Sequence, residues 1–206
     1  PRTEAAESFA HTLGAAVAVA DEVFADDTVD AIVICSATPT HSDLIERGLL
    51  SGKAVFCEKP IDLSIDRVNQ VLEKTRDCKA PLFVGFNRRF DPAAASMRER
   101  IQAGDIGDVE LVTVISKDPE PPPIDYVKVS GGLFRDMTIH DFDMARFMLG
   151  EEPTTVFAMA AALTSDEIAA EGDVDTACVT LQCPSGKIAV ITNSRRASFG
   201  YDQRIE

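Results

Sequence analysis

"DAIVICSATPTHSDLIERGLLSGKAVFC", residues 30 to 57, decides the fold. An apolar run from Ala31 to Cys35 ends in Ser, Thr and Pro. Leu44, Ile45, Leu49 and Leu50 then recur at the spacing of an amphipathic helix closed by Gly52, and a second apolar run follows from Lys53 to Cys57. The order is strand, helix, strand. Apolar strands without alternation indicate a parallel sheet covered on both faces.

Working outward, Ser64 reads as the cap of a helix through "IDRVNQVLEKT", and "PLFVGF" (81 to 86) as the next strand, which completes βαβαβ. Upstream, residues 3 to 12 read as a helix and "AVAVA" (16 to 20) as a short strand. Beyond residue 86 the rhythm changes. A helix at 92 to 103 leads to the strand composition of "DVELVTVISKD", a "PEPPP" loop, and a helix from about Asp136 to Leu149 stopped by Gly150. "TTVFAMAAALTS", "DTACVTLQC", "GKIAVITNSRR" and "SFGYDQRIE" follow with turn signals but no helices between them, which predicts a largely antiparallel sheet. The expected fold class is α/β: a doubly wound parallel domain over residues 1 to 86, then an α+β domain over residues 87 to 206 with a largely antiparallel open sheet.

Composition narrows the partners. Hydrophobic content of 45% with 26% charged residues is that of a globular chain. Twenty basic against 34 acidic residues give a net charge of −14, which repels nucleic acid and anionic membrane alike. No apolar run approaches the roughly 18 residues of a membrane span, and no basic segment precedes an apolar one at the N-terminus, so a cytoplasmic setting is expected. Cys35, Cys57, Cys78, Cys178 and Cys183 show no CxxC spacing, which disfavours a disulfide framework and a structural zinc site. Cys35 and Cys57 lie inside apolar runs and are expected to be buried thiols.

In open parallel sheets, ligands bind beyond the carboxyl ends of the strands. Three such ends are visible: "CSATPTH", "CEKP" and "GFNRRFD". They offer Ser36, Thr38, His41, Glu58, Lys59, Asn87 and Arg88 as one rim. Each alone reads better as a solvated loop residue; three polar ends in succession point to a pocket. A second constellation lies in "GGLFRDMTIHDFDMARFMLG" (131 to 150). Asp136, His140 and Asp143, at i, i+4 and i+7, would set carboxylate, imidazole and carboxylate along one helix face, and a carboxylate beside an imidazole is the arrangement of a general base. The same three could instead ligate a divalent ion in a hydrolase or isomerase, with only His11 and His41 left as further imidazoles and no role for "EKP".

"VFCEKP" after a "TPTH" turn, then "VGFNRRFDP", then the 131 to 150 helix, resembles the Gfo/Idh/MocA oxidoreductase family over essentially the whole chain. The run through "SRRASFGYDQR" is similar to its inositol-oxidising branch. The resemblance implies an N-terminal Rossmann domain, a C-terminal domain whose open sheet commonly mediates oligomerisation, and NAD(H) or NADP(H) as cofactor. It implies that Lys59 hydrogen-bonds the reacting hydroxyl, that His140 takes its proton, and that Asp136 orients His140 or shares its charge. Ser36, Thr38, His41, Glu58 and Lys59 would line the nicotinamide and ribose side. Asn87, Arg88, Asp143 and Tyr201 would bind a small polyol or sugar substrate, with no metal. The expected reaction is oxidation of a secondary hydroxyl, foremost that of myo-inositol to its 2-keto form, by a homodimer or homotetramer. Another sugar dehydrogenase and a non-catalytic binding relative are the alternatives within the fold. Family members open with a strand and a G-x-G-x-x-G turn. This chain contains no such glycine pattern, so the resemblance leaves NAD, the expected cofactor, and NADP both open. The chain is expected to be a piece of a larger enzyme, short of part of the first domain at its start and of part of the second at its end.

Overall fold

The computed structural model describes residues 3 to 206, which divide into two compact units, Pro1–Gly85 and Phe86–Glu206. The first unit runs α1 (Thr3–Leu13), α2 (Ala20–Ala25), β1 (Ala31–Ile34), α3 (His41–Leu50), β2 (Ala54–Cys57), α4 (Ile65–Lys74) and β3 (Leu82–Val84). The strands form a parallel sheet in the order β1-β2-β3, with Val33, Phe56 and Phe83 in one row. On its packed side Ile34, Val55 and Cys57 meet Ile45 and Leu49 of α3 and Val71 of α4. Helix and strand approach closely because residue 48 is glycine: a Cβ there would lie 2.7 Å from the Val55 side chain. The cap of α4 is as expected, with Ser64 Oγ accepting from Arg67 N. Lys53 is buried, and its ammonium donates to the carbonyls of Asp26 at 2.6 Å and Val29 at 2.9 Å.

Three expectations are corrected in this unit. "AVAVA" is not a strand. Among the described residues β1 pairs only with β2, and a strand needs a ladder partner; instead the Val19 amide donates to the Glu22 carboxylate at 3.1 Å and opens α2. Among the described residues nothing covers one face of the sheet, for Val33 is 69% exposed and Phe83 48% exposed on the side where Phe56 and Phe83 stack. Finally, Cys35 is exposed while Cys57 is buried. β1 ends at Ile34, whose side chain takes the packed side, and the residue after it points away.

The second unit runs from a 3₁₀ turn (Asn87–Phe90) through α5 (Pro92–Gln102), β4 (Leu111–Lys117), α6 (Ile124–Ser130), a π-helical turn (Phe134–Thr138) and α7 (Ile139–Leu149). It continues as β5 (Thr155–Ala161), α8 (Asp166–Ala170), β6 (Thr176–Gln182), β7 (Ile188–Ser194) and β8 (Asp202–Ile205). The sheet order is β5-β6-β7-β4-β8, antiparallel at every pairing except β4 with β7. Met144, Ala145, Met148 and Leu149 of α7 pack on Val112, Val114, Val179, Leu181, Ala189 and Ile191, which alternate along β4, β6 and β7. The other face is open, and the edge strand β5 exposes Val156, Phe157 and Met159. Buried Asp175 ties the segment before α8 to β6, accepting from the amides of Leu163 (2.9 Å), Thr164 (2.8 Å) and Ser165 (3.0 Å) and from the Thr176 hydroxyl (2.9 Å).

Two short helices, α6 and α8, are additions to the sequence reading, and the long helix from Asp136 is corrected: its first turn is π-helical, and regular α-helix begins at Ile139.

Candidate active site

In the first unit the site residues sit where strands end. Ser36 and Thr38 follow β1; Ser36 Oγ lies 2.5 Å from Thr40 Oγ1, both exposed, and Thr38 is half-buried at the start of a 3₁₀ turn. Glu58 and Lys59 follow β2 and are half-buried; the Glu58 amide donates to Ile34 O at 2.9 Å, and the Lys59–Pro60 peptide is cis. His41 departs from expectation. It is 1% exposed, with Nδ1 2.8 Å from Pro60 O and Nε2 2.9 Å from Ser36 O. Both ring nitrogens are engaged by backbone, so His41 ties the turn after β1 to the turn after β2 rather than facing a ligand. Burial pushes the neighbouring Cys57 thiol up to about 12, with the charge of Glu58 adding to it, so Cys57 is inert packing rather than a nucleophile.

In the second unit Asn87 is exposed in the 3₁₀ turn, and the two arginines after it are anchored on α7. Arg88 Nη1 meets Asp141 Oδ1 at 2.6 Å, and Arg89 spans both oxygens of Asp143 at 2.6 and 2.7 Å. Asp141 is completely buried, and its second oxygen accepts from Asn193 Nδ2 at 2.6 Å, whose own oxygen accepts from Thr138. Burial pushes the Asp141 carboxyl above the usual carboxylate value, against the pull of Arg88 and Asn193. Asp143 is 3% exposed and taken by Arg89, so it does not stand free beside His140 as the spacing had suggested. Asp136 lies in the π turn, and His140 lies half-buried in the first turn of α7.

Asp136 has partners that the sequence did not announce. Its Oδ1 accepts from the Tyr126 hydroxyl of α6 at 2.8 Å, and its Oδ2 lies 3.9 Å from Arg195 Nη2, just past β7. The opposite arm of Arg195, Nη1, is 3.7 Å from Asp173 Oδ2. Asp173 Oδ1 in turn accepts from the Leu133 amide at 3.0 Å, at the entrance to the π turn. Residue 132 must be glycine for this: its φ is +79°, and a Cβ would lie 2.5 Å from Asp173 Oδ1. Asp118, after β4, lies close enough to feel the charges of Arg195, Arg88 and Asp136; burial pushes its carboxyl up while the two arginines pull it down.

A cavity of about 610 Å³ within this unit joins Arg88, Asp118 and exposed Tyr201 with Gln203, Met97 and Met144. Two expected substrate residues, Arg88 and Tyr201, thus share a wall with a carboxylate that sequence reasoning missed. Among the described residues no group of three or more His, Cys, Asp or Glu is arranged to hold a metal ion, and no helix is long and apolar enough to cross a membrane. A hydroxyl-bearing ring finds in this cavity a carboxylate and a guanidinium for its polar edge and methionines for its C–H face, the mixed lining of a small-molecule site.

Residues 1 to 86 match the model of an oxidoreductase family with an NAD-binding Rossmann fold, and residues 94 to 206 match that of the Gfo/Idh/MocA C-terminal domain. An inositol 2-dehydrogenase of Rhizobium meliloti (strain 1021) is 57% identical over 202 residues, 98% of this chain and 61% of that protein. The crystal structure of a myo-inositol dehydrogenase from Corynebacterium glutamicum superposes with a TM-score of 0.94 at 48% identity, over 100% of this chain and 62% of that one. A scyllo-inositol dehydrogenase from Lactobacillus casei, solved with bound NAD(H) and scyllo-inositol, superposes with a TM-score of 0.81 at 30% identity, over 95% of this chain and 60% of that one. The chain spans 61% and 55% of the length of two curated relatives that it matches.

Proposed function

This chain belongs to the Gfo/Idh/MocA oxidoreductase family, and on that premise we propose that the whole protein oxidises a secondary hydroxyl of a cyclitol, foremost myo-inositol to its 2-keto form, with NAD as cofactor. The relatives named above act on inositols, which supports the substrate class. The observation that carries the reading is the cavity of the second unit, where Arg88, Asp118 and Tyr201 offer hydrogen-bonding groups to several hydroxyls, the Asp118 carboxylate lying within reach of the charges of Asp136 and Arg195.

The first unit fits the nicotinamide end of the cofactor. Ser36, Thr38 and Glu58 present hydroxyls and a carboxylate at the carboxyl ends of β1 and β2, where ribose hydroxyls are bound in open parallel sheets, and Lys59 leaves the same edge. When bound, the nicotinamide supplies the acceptor for the hydride that leaves the carbinol carbon. The protein supplies the rest. Lys59 donates to the reacting oxygen and stabilises its developing negative charge; His140 takes the hydroxyl proton; the Asp136 carboxylate orients the imidazole and shares its gained charge. Asn87, Arg88, Asp118 and Tyr201 fix the remaining hydroxyls, and Asp143 acts through Arg89. His41 contributes by tying the two turns of the first unit.

We assign a cytoplasmic setting, in keeping with five free cysteines, and a homodimer or homotetramer formed through the open sheet face, where Phe157 and Met159 of β5 are exposed. Light scattering on the full-length protein checks the second point; a monomer at micromolar concentration overturns it.

The activity is tested by following NADH absorbance with a panel of inositols and sugars. Reduction of NAD with myo-inositol is expected, and none with any polyol sinks the dehydrogenase reading. His140→Ala should lower kcat by about 10² to 10⁴, the worth of a general base, with melting little changed. A variant that unfolds yet keeps its activity per folded molecule would instead make His140 a packing residue.

A further inference from the structure

Arg195 is the largest side chain to be fully buried, at 1% exposure, yet it belongs to no hydrophobic cluster and ends a strand rather than lining the cavity. A buried guanidinium is costly unless anions face it. Two do, Asp136 at 3.9 Å and Asp173 at 3.7 Å, both at ion-pair rather than hydrogen-bond distance. The charge is therefore shared between the π turn that bears Asp136 and the loop that anchors the start of that turn through the Leu133 amide. The remaining oxygen of Asp136 is held from a third element by Tyr126. One carboxylate is thus fixed from two sides by groups from α6 and from the end of β7, which are far apart in sequence.

We propose that Arg195 and Tyr126 are positioning residues for the Asp136–His140 pair: the buried guanidinium and the phenol hold the Asp136 carboxylate from two sides. The inference rests on the reading of His140 as the base and Asp136 as its partner. Among the described residues, the charged and titratable groups facing Arg195 and Asp136 are Asp118 after β4, Asp173 before β6, Tyr126 on α6 and, through Asp118, Arg88; His140 follows Asp136 by four residues, in the first turn of α7. Tyr126 stays a donor across the working range, since burial and the Asp136 carboxylate push its hydroxyl up to about 12. Removing a positive charge raises the proton affinity of every acid and base that faces it. The base must be unprotonated to act, so loss of Arg195 moves the acid limb of the kcat profile to higher pH.

The experiment measures kcat, KM and melting from pH 6 to 10 for the full-length enzyme and for Tyr126→Phe, Arg195→Lys, Arg195→Gln and His140→Ala. Arg195→Gln should lose about a hundredfold in kcat, the scale of a misplaced catalytic group, with its acid limb shifted upward. Arg195→Lys, which keeps the charge, should recover part of the rate and return the limb. Tyr126→Phe should lose about tenfold, the worth of one hydrogen bond to a charged group, with KM for the polyol held. Should Arg195→Gln fail to fold, Tyr126→Phe decides, being a half-exposed change that removes one oxygen. A folded Arg195→Gln, or Tyr126→Phe, with wild-type kcat and acid limb overturns the proposal, as does a change confined to KM, which would make the pair substrate contacts. An unchanged rate in His140→Ala overturns the assignment of the base instead.

Discussion

Lys53 of the first unit and Asp141 of the second are both buried charged side chains, but their partners differ in kind. Lys53 donates to two backbone carbonyls, Asp26 and Val29. Asp141 is held by side chains, the Arg88 guanidinium and the Asn193 amide, themselves linked onward to Thr138. The pattern extends beyond the pair. His41 bonds only carbonyls, whereas Asp143, Asp136 and Asp173 all face arginines. Backbone partners are fixed by the fold and act one at a time. Side-chain partners depend on one another in a medium of low dielectric, so the loss of one leaves the next uncompensated. The first unit therefore behaves as a frame for its turns, and the second as a linked charge network that sets protonation.

The largest effect should fall on the network. Asp141→Ala leaves the Arg88 charge and the Asn193 amide without their acceptor and should cost about 3 to 5 kcal/mol, read from the denaturant midpoint. A loss under about 1 kcal/mol, the worth of an exposed pair, would erase the distinction between the units.

Asp175 sharpens the comparison, because it belongs to the second unit but is satisfied chiefly by backbone amides. Burial raises its carboxyl, but the Leu163 and Thr164 amides and the Thr176 hydroxyl outweigh it, and the net displacement is below the usual value. A depressed folded pKa contributes stability above the unfolded value, near pH 4, that is lost as pH falls through the folded one. Asp175→Asn should therefore cost about 2 kcal/mol at pH 7, and its gap from wild type should close as the solution is acidified. Unfolding curves collected down to pH 2 test this; a gap that is constant with pH would show that the carboxylate's charge plays no part.

Lys53→Met should give the smallest effect, about 1 to 2 kcal/mol, because the two carbonyls it leaves are near enough to the surface to find water. Hydrogen exchange at the β2 amides reports it locally. A loss as large as that of Asp141→Ala would mean that the kind of partner is irrelevant.

The first unit was the more legible in sequence because its signals are local. The periodicity of α3, the Ser64 cap and the apolar runs of β1 to β3 are each decided within a few residues. Where the reading failed there, at "AVAVA", it failed because a strand depends on a partner strand that propensity does not see. The second unit's sheet was legible for the same reason as the first, but its site was not. Arg88 meets Asp141 across 53 residues and Arg89 meets Asp143 across 54, and no periodicity links such positions. Asp136 and His140 were singled out by spacing and by the family resemblance, while Tyr126, Asp118 and Asp173 carried no motif. The π turn was invisible, since one extra residue per turn leaves composition unchanged. Signals for α6 and α8 did exist: Pro123 ahead of the first with Gly131 behind it, and the Ser165 cap of the second.

The glycine beside Asp173 also governs what the chain can become. Gly132 and Gly104 share a φ of +79°, but only at Gly132 does a carboxylate occupy the place of a side chain. In a saturation library screened for folded, active protein, position 104 should admit asparagine and aspartate, the residues that best tolerate the left-handed region, while position 132 should return glycine alone. A single hydrogen atom in place of a methyl group there is what lets the loop ahead of β6 hold the turn that carries the acid.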